Sequence, residues 1–388
     1  MGEGISKYFK GDKVIWAVIV VLSIYSLLAV YSSTGTLAVR KAGGNTMYYF
    51  IRHGVIQLFG LFVIIFVHNI HYKYYSRLSQ MFLYISIPLL LLTLVFGTSI
   101  HQASRWLTIP VLGISIQTSD FAKFALIMFV SRLLSLKQDQ ITVFRDAFIP
   151  IVVPVIVVCM LILPANLSSA LILFATCLVL MFIGRISIRH LLSLGAIGIL
   201  VIALFITTTL LLDKEGRVGT WRNRVESFVQ GTEGDNYQAQ QAKIAIVSGG
   251  IFSLKPGKSV QRNFLPQPYS DFIYAIIIEE YGLLLGGLPI LLCYLFLIYR
   301  AGVVVRKASR TFPAFLAIGL TLNIVIQAFV NMAVTVNLLP VTGQNLPLVS
   351  MGGSSLLFTS ISLGIILSVT REIEKGPVNE PVEETYHH

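Results

Sequence analysis

Residues 265–282 read LPQPYSDFIYAIIIEEYG. From Phe272 onward it is apolar enough for a membrane-spanning helix, yet it opens on Asp271 and carries Glu279 and Glu280 inside. A carboxylate near the middle of a bilayer costs at least about 2.5–3.5 kcal/mol. On a helix Glu279 stands about 80° round from Asp271 and ~12 Å further along, while Glu280 turns roughly to the opposite side. Such a helix cannot face lipid all round. It is buried in a bundle or lines a hydrated groove. An Asp at a helix start also fits a plain cap that accepts backbone N–H groups.

The rest of the chain supports a membrane reading. Of 388 residues 55% are hydrophobic and 12% charged, against roughly 25% charged in soluble domains, and the mean hydropathy is +0.79. Apolar stretches long enough to cross ~30 Å of hydrocarbon fall near 13–33, 48–70, 80–97, 117–136, 146–164, 166–184, 189–212, 271–299, 312–339 and 349–370. They predict an all-α polytopic membrane protein of ten transmembrane helices, with Pro150 and Pro154 bending the fifth. The N-terminal MGEGISKYFKGDK is too polar, and the run after it too long, for a cleaved signal peptide. That run reads as the first span.

Cation placement orients the bundle. Lys7, Lys10, Lys13, Lys73, Arg77, Arg132, Arg300, Arg306, Lys307 and Arg371 fall on one side, and the short loops opposite hold Arg40, Lys41 and Arg105. Both termini are therefore expected in the cytoplasm, with a large extracytoplasmic loop, 213–270, between helices 7 and 8. Residues 1–370 are expected to form one domain and 371–388 a disordered cytoplasmic tail, whose final two histidines are not read as a metal site.

Several classes are excluded. Cys159, Cys177 and Cys293 lie in apolar runs without CxxC or His spacing, so they read as small core residues. The net charge of +11 comes with no basic-aromatic module, so nucleic acid is not an expected partner. No GxSxG, HExxH or Walker loop is present.

The remaining charges in the spans can be weighed singly. Arg52 and His53 sit in YYFIRHGVIQLFG. Asp120 and Lys123 are three residues apart, on one helical face and able to pair. They form either a structural salt bridge or a cavity cation held by its carboxylate. Arg105 beside Trp106 is either an interfacial anchor or a phosphate contact. NLLPVTGQNLPLVSMGGSSLL (337–357) is a poor continuous helix, and irregular backbone at this depth is buried in protein or lines a cavity. Ser354 and Ser355 would supply donors there, or simply pack helices. These residues sketch an outward-facing site with cations for an anionic lipid headgroup and one carboxylate base.

Three blocks, in order, then match a family. SRWLTIPVLGISIQTSDFAK, YQAQQAKIAIVSGG with LPQPYSDFIYAIIIEEYG, and LLPVTGQNLPLVSMGGSSLL resemble those of the SEDS (shape, elongation, division, sporulation) membrane proteins, the group of FtsW, RodA and SpoVE, over nearly the whole chain. The resemblance implies a peptidoglycan glycosyltransferase of the cytoplasmic (inner) membrane that polymerises lipid II, the undecaprenyl-pyrophosphoryl disaccharide-pentapeptide, at the periplasmic face. It implies Asp271 as general base, Arg52, Arg105, Lys123, Ser354 and Ser355 as pyrophosphate and lipid II contacts, and Asp120, Asn166, Glu279 and Glu280 as supporting residues. No protein metal site is expected, although a divalent cation, Mg or Mn, would suit the pyrophosphate. The implied partners are a class B penicillin-binding protein transpeptidase, divisome proteins and membrane lipids. Details between the second and fourth spans resemble the FtsW-type, septal branch, particularly that of Bacteroidetes.

Two departures stand out. The family's QPDLGTA turn is LPANLSSA here, so Asn166 replaces an acid, and LPE becomes LPQ at Gln267. Two rival functions remain. A lipid II flippase would need access from both leaflets, and often inverted repeats, of which the sequence shows none. A noncatalytic scaffold that activates the transpeptidase would need the bundle but not Asp271.

Overall fold

The structure, a computed structural model, describes residues 10–41, 43–100, 103–109, 114–212 and 237–374. The expected tail beyond 374 and the loop residues 213–236 lie outside the described residues. The described helices are α1 (Lys13–Ser33), α2 (Gly35–Lys41), α3 (Thr46–Asn69), α4 (Tyr72–Phe96), α5 (Thr118–Leu136), α6 (Ile149–Ile162), α7 (Leu167–Ile183), α8 (Ile188–Leu212), α9 (Tyr237–Gly249), α10 (Ile273–Gly282), α11 (Leu288–Lys307), α12 (Thr311–Thr335) and α13 (Gly353–Glu374). A helix occupies every apolar stretch marked out in the sequence. Among the described residues seven helical stretches are long and apolar enough to cross a membrane, while α7 and the described apolar part of α8 are shorter. α5 is charged at Asp120, Lys123 and Arg132.

Four expectations are corrected. The chain is not wholly helical: β1 (Thr98–Ile100), β2 (Ala103–Ile109) and β3 (Ile114–Gln117) form a small antiparallel sheet in the order β1-β2-β3. Trp106, Thr108 and Ile109 are strand-favouring residues, aromatic or β-branched, which suits a strand. The third span starts at Tyr72 rather than near 80, because Tyr75 is buried and its hydroxyl donates to the Val67 carbonyl. The polar loop before Asp271 contains a helix, α9. The last helix runs to Glu374, past the expected boundary at 370, because its end still clasps the N-terminal segment. The Asp12 N–H donates to Thr370 Oγ1 and the Gly11 N–H to Glu374 Oε2.

The helix opening at Ile273 is not one rod. Gly282 has φ +74° and a five-residue π turn follows at Leu283–Gly287. Such a break frees backbone groups that must find partners. The loop after α9 supplies them: the Leu283 and Leu284 N–H groups donate to the Gly250 and Ile251 carbonyls, and Lys255 N–H donates to the Glu280 carbonyl. Close approach requires glycine on both sides. A Cβ on Gly249 would fall 2.0 Å from the Ile278 carbonyl oxygen, and one on Gly282 2.6 Å from the Ser253 nitrogen.

α12 and α13 are the most enclosed long helices, α3 and α4 the least. α13 lies along α3 through glycines, with Gly60 against Leu356 and Ser360 and Gly364 against Ile64 and Val67. Small residues allow this dispersion-driven packing where lipid removes the hydrophobic incentive.

Candidate functional site

Asp271 is positioned by the irregular segment between α12 and α13. Phe272, not Asp271, occupies the N-cap position of α10, so Asp271 stands one residue outside the cap. Ser270 Oγ lies 2.9 Å from Asp271 Oδ1 and 2.7 Å from Asn345 Oδ1. The Ser270 carbonyl accepts from Ser350 Oγ at 2.7 Å, and Ser350 Oγ also accepts from the Leu346 N–H at 2.8 Å. The Met351 N–H donates to the Tyr269 carbonyl. Gly343, with φ +65°, packs beside the carboxylate, and a Cβ there would be in van der Waals contact with Asp271 Oδ2 at 3.5 Å. Leu348, in the same segment, has φ 63°. A left-handed, buried leucine persists only where its surroundings over-determine it.

A buried ion pair lies on the same network. Lys123 Nζ is 2.9 Å from Asp120 Oδ1, and the two residues are only 4% and 7% exposed. Lys123 Nζ also donates to Gln327 Oε1 at 3.4 Å, while Gln327 Nε2 donates to the Asn345 carbonyl at 3.0 Å. One turn further along α12, Asn331 Nδ2 donates to the carbonyls of Asp271 at 2.8 Å and Gln344 at 2.6 Å. Gln344 Nε2 in turn donates to Ser169 Oγ on α7. Asp120 Oδ2 and Asn331 Oδ1 are buried with no hydrogen-bond partner among the described residues.

The other expected residues are placed as follows. Asn166 is the N-cap of α7 and accepts from the Ser169 N–H at 3.2 Å. With Thr93, Thr118 and Ser119 it lines a small crevice. Ser354 and Ser355 lie in the first turn of α13, and Ser354 Oγ is buried without a partner. α13 and α3 run side by side, which brings its N-terminal turn level with the stretch that carries Arg52 and His53. Arg52 is exposed. His53 is buried, its Nε2 2.7 Å from Ser26 Oγ, which donates to the Val349 carbonyl. Arg105 lies on β2 and its side chain is outside the described residues.

Glu279 and Glu280 are drawn to the loop before Asp271. Glu279 accepts from Ser259 Oγ and from the Val260 and Gln261 N–H groups. Glu280, 1% exposed, accepts from Ser32 Oγ on α1 and from the Ser259 N–H. Arg262 donates to the carbonyls of Ser32 and Gly257. The two acids within α10 are thus buried among hydrogen-bond donors.

Sequence reasoning missed Gln327, Asn331, Gln344, Asn345 and Ser270. A signal existed: Asn323, Gln327, Asn331 and Thr335 recur every fourth residue in an otherwise apolar span, one polar stripe on one helical face. Four polar side chains at that spacing in a span mark the face turned to protein.

Against known proteins, the family described as "Cell cycle protein" (FtsW, RodA, SpoVE) matches residues 12–375. A probable peptidoglycan glycosyltransferase FtsW of Trichlorobacter lovleyi is 30% identical over 374 residues, 95% of each chain. Stage V sporulation protein E of Bacillus subtilis is 32% identical over 365 residues, covering 93% of this chain and 97% of its own. Among solved structures, the rod shape determining protein RodA of Thermus thermophilus aligns with TM-score 0.66 at 23% identity, over 93% of this chain and 97% of that one. A chain from a peptidoglycan synthase complex aligns with TM-score 0.69 at 24% identity, over 94% and 98%. The fold and its buried polar site define a multi-pass membrane protein. The chain belongs to the FtsW/RodA/SpoVE, or SEDS, family.

Proposed function

We propose that this chain, a SEDS peptidoglycan glycosyltransferase serving cell-wall synthesis, polymerises lipid II at the outer face of the cytoplasmic membrane. The observation that carries the reading is the shared polar network: Lys123 donates to Gln327 of α12, Asn331 of α12 donates to the Asp271 backbone carbonyl, and Ser270 links the Asp271 carboxylate to Asn345, which Gln327 holds at its carbonyl. Asp271 takes the proton from the acceptor sugar 4-hydroxyl as that oxygen bonds to the donor anomeric carbon. The bond from this carbon to the pyrophosphate breaks, and the lipid pyrophosphate leaves. Lys123, Arg52 and Arg105 meet its growing charge, with donors from Ser354 and Ser355 at the start of α13; preorganised positive groups at developing charge lower the barrier. Asp120 holds Lys123, and Asn166 braces the start of α7.

In this reading the helical stretches cross the membrane ten times, counting α10 and α11 as one crossing. Both termini are cytoplasmic and the 213–270 segment lies outside. A class B penicillin-binding protein and divisome proteins are the fitting partners, and the FtsW-type, septal branch, in its Bacteroidetes form, the fitting subgroup. A divalent cation, Mg or Mn, would draw its ligands chiefly from the pyrophosphate. Among the described residues no group of three or more His, Cys, Asp or Glu is placed to hold a metal ion.

The test is polymerisation of purified lipid II by wild type and by Asp271→Asn, each with and without the transpeptidase. Loss of a proton-accepting group is expected to slow the reaction about 10²- to 10⁴-fold while thermal unfolding stays unchanged. Equal strand formation by both proteins rejects Asp271 as the base. No strands from wild type with its partner, but transfer of lipid II between leaflets of a vesicle, would establish a flippase; neither activity would leave the scaffold.

A further inference from the structure

We infer that Gln327 and Asn331 are positioning residues that set the distance between the Lys123 cation and the Asp271 carboxylate. The inference rests on the glycosyl-transfer reading above. The two amides sit one turn apart on one face of α12, about 6 Å in rise. Gln327 uses both ends of its side chain: Oε1 accepts from Lys123 Nζ and Nε2 donates to the Asn345 carbonyl. Asn331 uses one Nδ2 to clamp two strands of irregular backbone, at the Asp271 and Gln344 carbonyls. Asn345, held at its carbonyl by Gln327, stands at its side-chain Oδ1 2.7 Å from the hydroxyl of Ser270, which is itself 2.9 Å from Asp271 Oδ1.

The physical need is plain. Segment 343–352 has no helix or strand to fix it, and Asp271 stands one residue outside the cap of α10. α12, by contrast, is a 25-residue helix in the centre of the bundle. Its two amides transfer that rigidity to the base on one side and to the cation on the other. A general base and an anion-stabilising cation must keep a fixed separation through the reaction, and a misplacement of about 1 Å is enough to slow catalysis on the order of 10²-fold. Neither amide titrates, so neither competes for the proton that Asp271 accepts.

The experiment uses full-length protein in detergent with lipid II, and compares wild type with Gln327→Asn, Gln327→Leu and Asn331→Leu. Gln327→Asn keeps the amide but shortens the arm by one methylene, so it cannot reach both partners. The expected result is a fall in kcat of about 10- to 100-fold with KM within about threefold, together with faster hydrogen–deuterium exchange across peptides spanning 340–352. Peptides from α1 and α11 serve as the folded reference and should exchange as in wild type. Wild-type kcat with wild-type exchange in Gln327→Asn and Asn331→Leu overturns the inference. So does a lost kcat with unchanged exchange, which would mean that the amides touch substrate themselves. If wild type makes no strands, the glycosyl-transfer reading fails by itself. The exchange data then decide alone whether the two amides hold the segment.

Discussion

At the scale of the residue, Lys123 and Asp120 show what burial demands. A charge with so little water around it must be paired, and removing one partner strands the other at a cost of about 3–5 kcal/mol. Lys123→Met should therefore lower the unfolding temperature in detergent sharply. The double variant Asp120→Asn/Lys123→Met should recover most of that loss, because it leaves no orphan charge; a double variant as unstable as the single would show that the pair adds nothing beyond two separate contacts. Gly343 makes a second case. Its φ of +65° costs an alanine about 1–2 kcal/mol, and the new methyl would stand 3.5 Å from Asp271 Oδ2. Gly343→Ala is expected to lower stability by that amount, read from denaturant or thermal unfolding. The pairing of Asp120 with Lys123 was legible from a spacing of three, since helix geometry alone puts them on one face. The role of Gly343 was not, because a glycine in an irregular loop announces freedom without saying which neighbour comes close.

At the scale of the element, the break in the α10–α11 rod is the informative feature. Local sequence reads as one span from 271 to 299, since IYAIIIEEYGLLLGGLPILL is mostly apolar and its glycines are scattered. The interruption exists because a second piece of chain is there to satisfy it, with Gly250 and Ile251 offering carbonyls to Leu283 and Leu284. Propensity cannot foresee a partner supplied from about thirty residues away, and an isolated glycine only lowers the expectation of helix. Gly249→Ala should accordingly dislodge α9. Its Cβ would meet the Ile278 carbonyl oxygen at 2.0 Å, and backbone cannot yield as a side chain can. The expected outcome is accelerated hydrogen exchange across 237–255 with the exchange of α12 unchanged; protection equal to wild type would mean that α9 is anchored elsewhere. The sheet was missed for a related reason. Strand pairing is non-local, and the three short runs between α4 and α5 become a sheet only by meeting one another.

Across the whole molecule, the first and last described residues meet on one side of the bundle. Asp12 pairs with Arg300 Nε at 2.5 Å and caps α1, while Gly11 and Asp12 reach Thr370 and Glu374 on α13. If both termini are cytoplasmic, single cysteines at Lys307 and Glu374 should react with a membrane-impermeant maleimide only from the inner side of oriented vesicles. One at Gln267 should react only from the outer side; labelling of all three from one side would overturn the proposed topology. Composition, hydropathy and motif order were enough for the membrane class, the family and the helical stretches, because insertion energy makes each charge in a span conspicuous and the period of the helix places it. What each charge meets follows from how the helices and loops pack. Glu279 and Glu280 turned to the loop around Ser259, Asp271 stayed outside the helix cap, and the amides of α12 joined it to Lys123. Those outcomes depend on groups 20 to 250 residues apart in the chain meeting in a medium where every buried donor and acceptor must find a partner, a condition that no single stretch of sequence can satisfy alone.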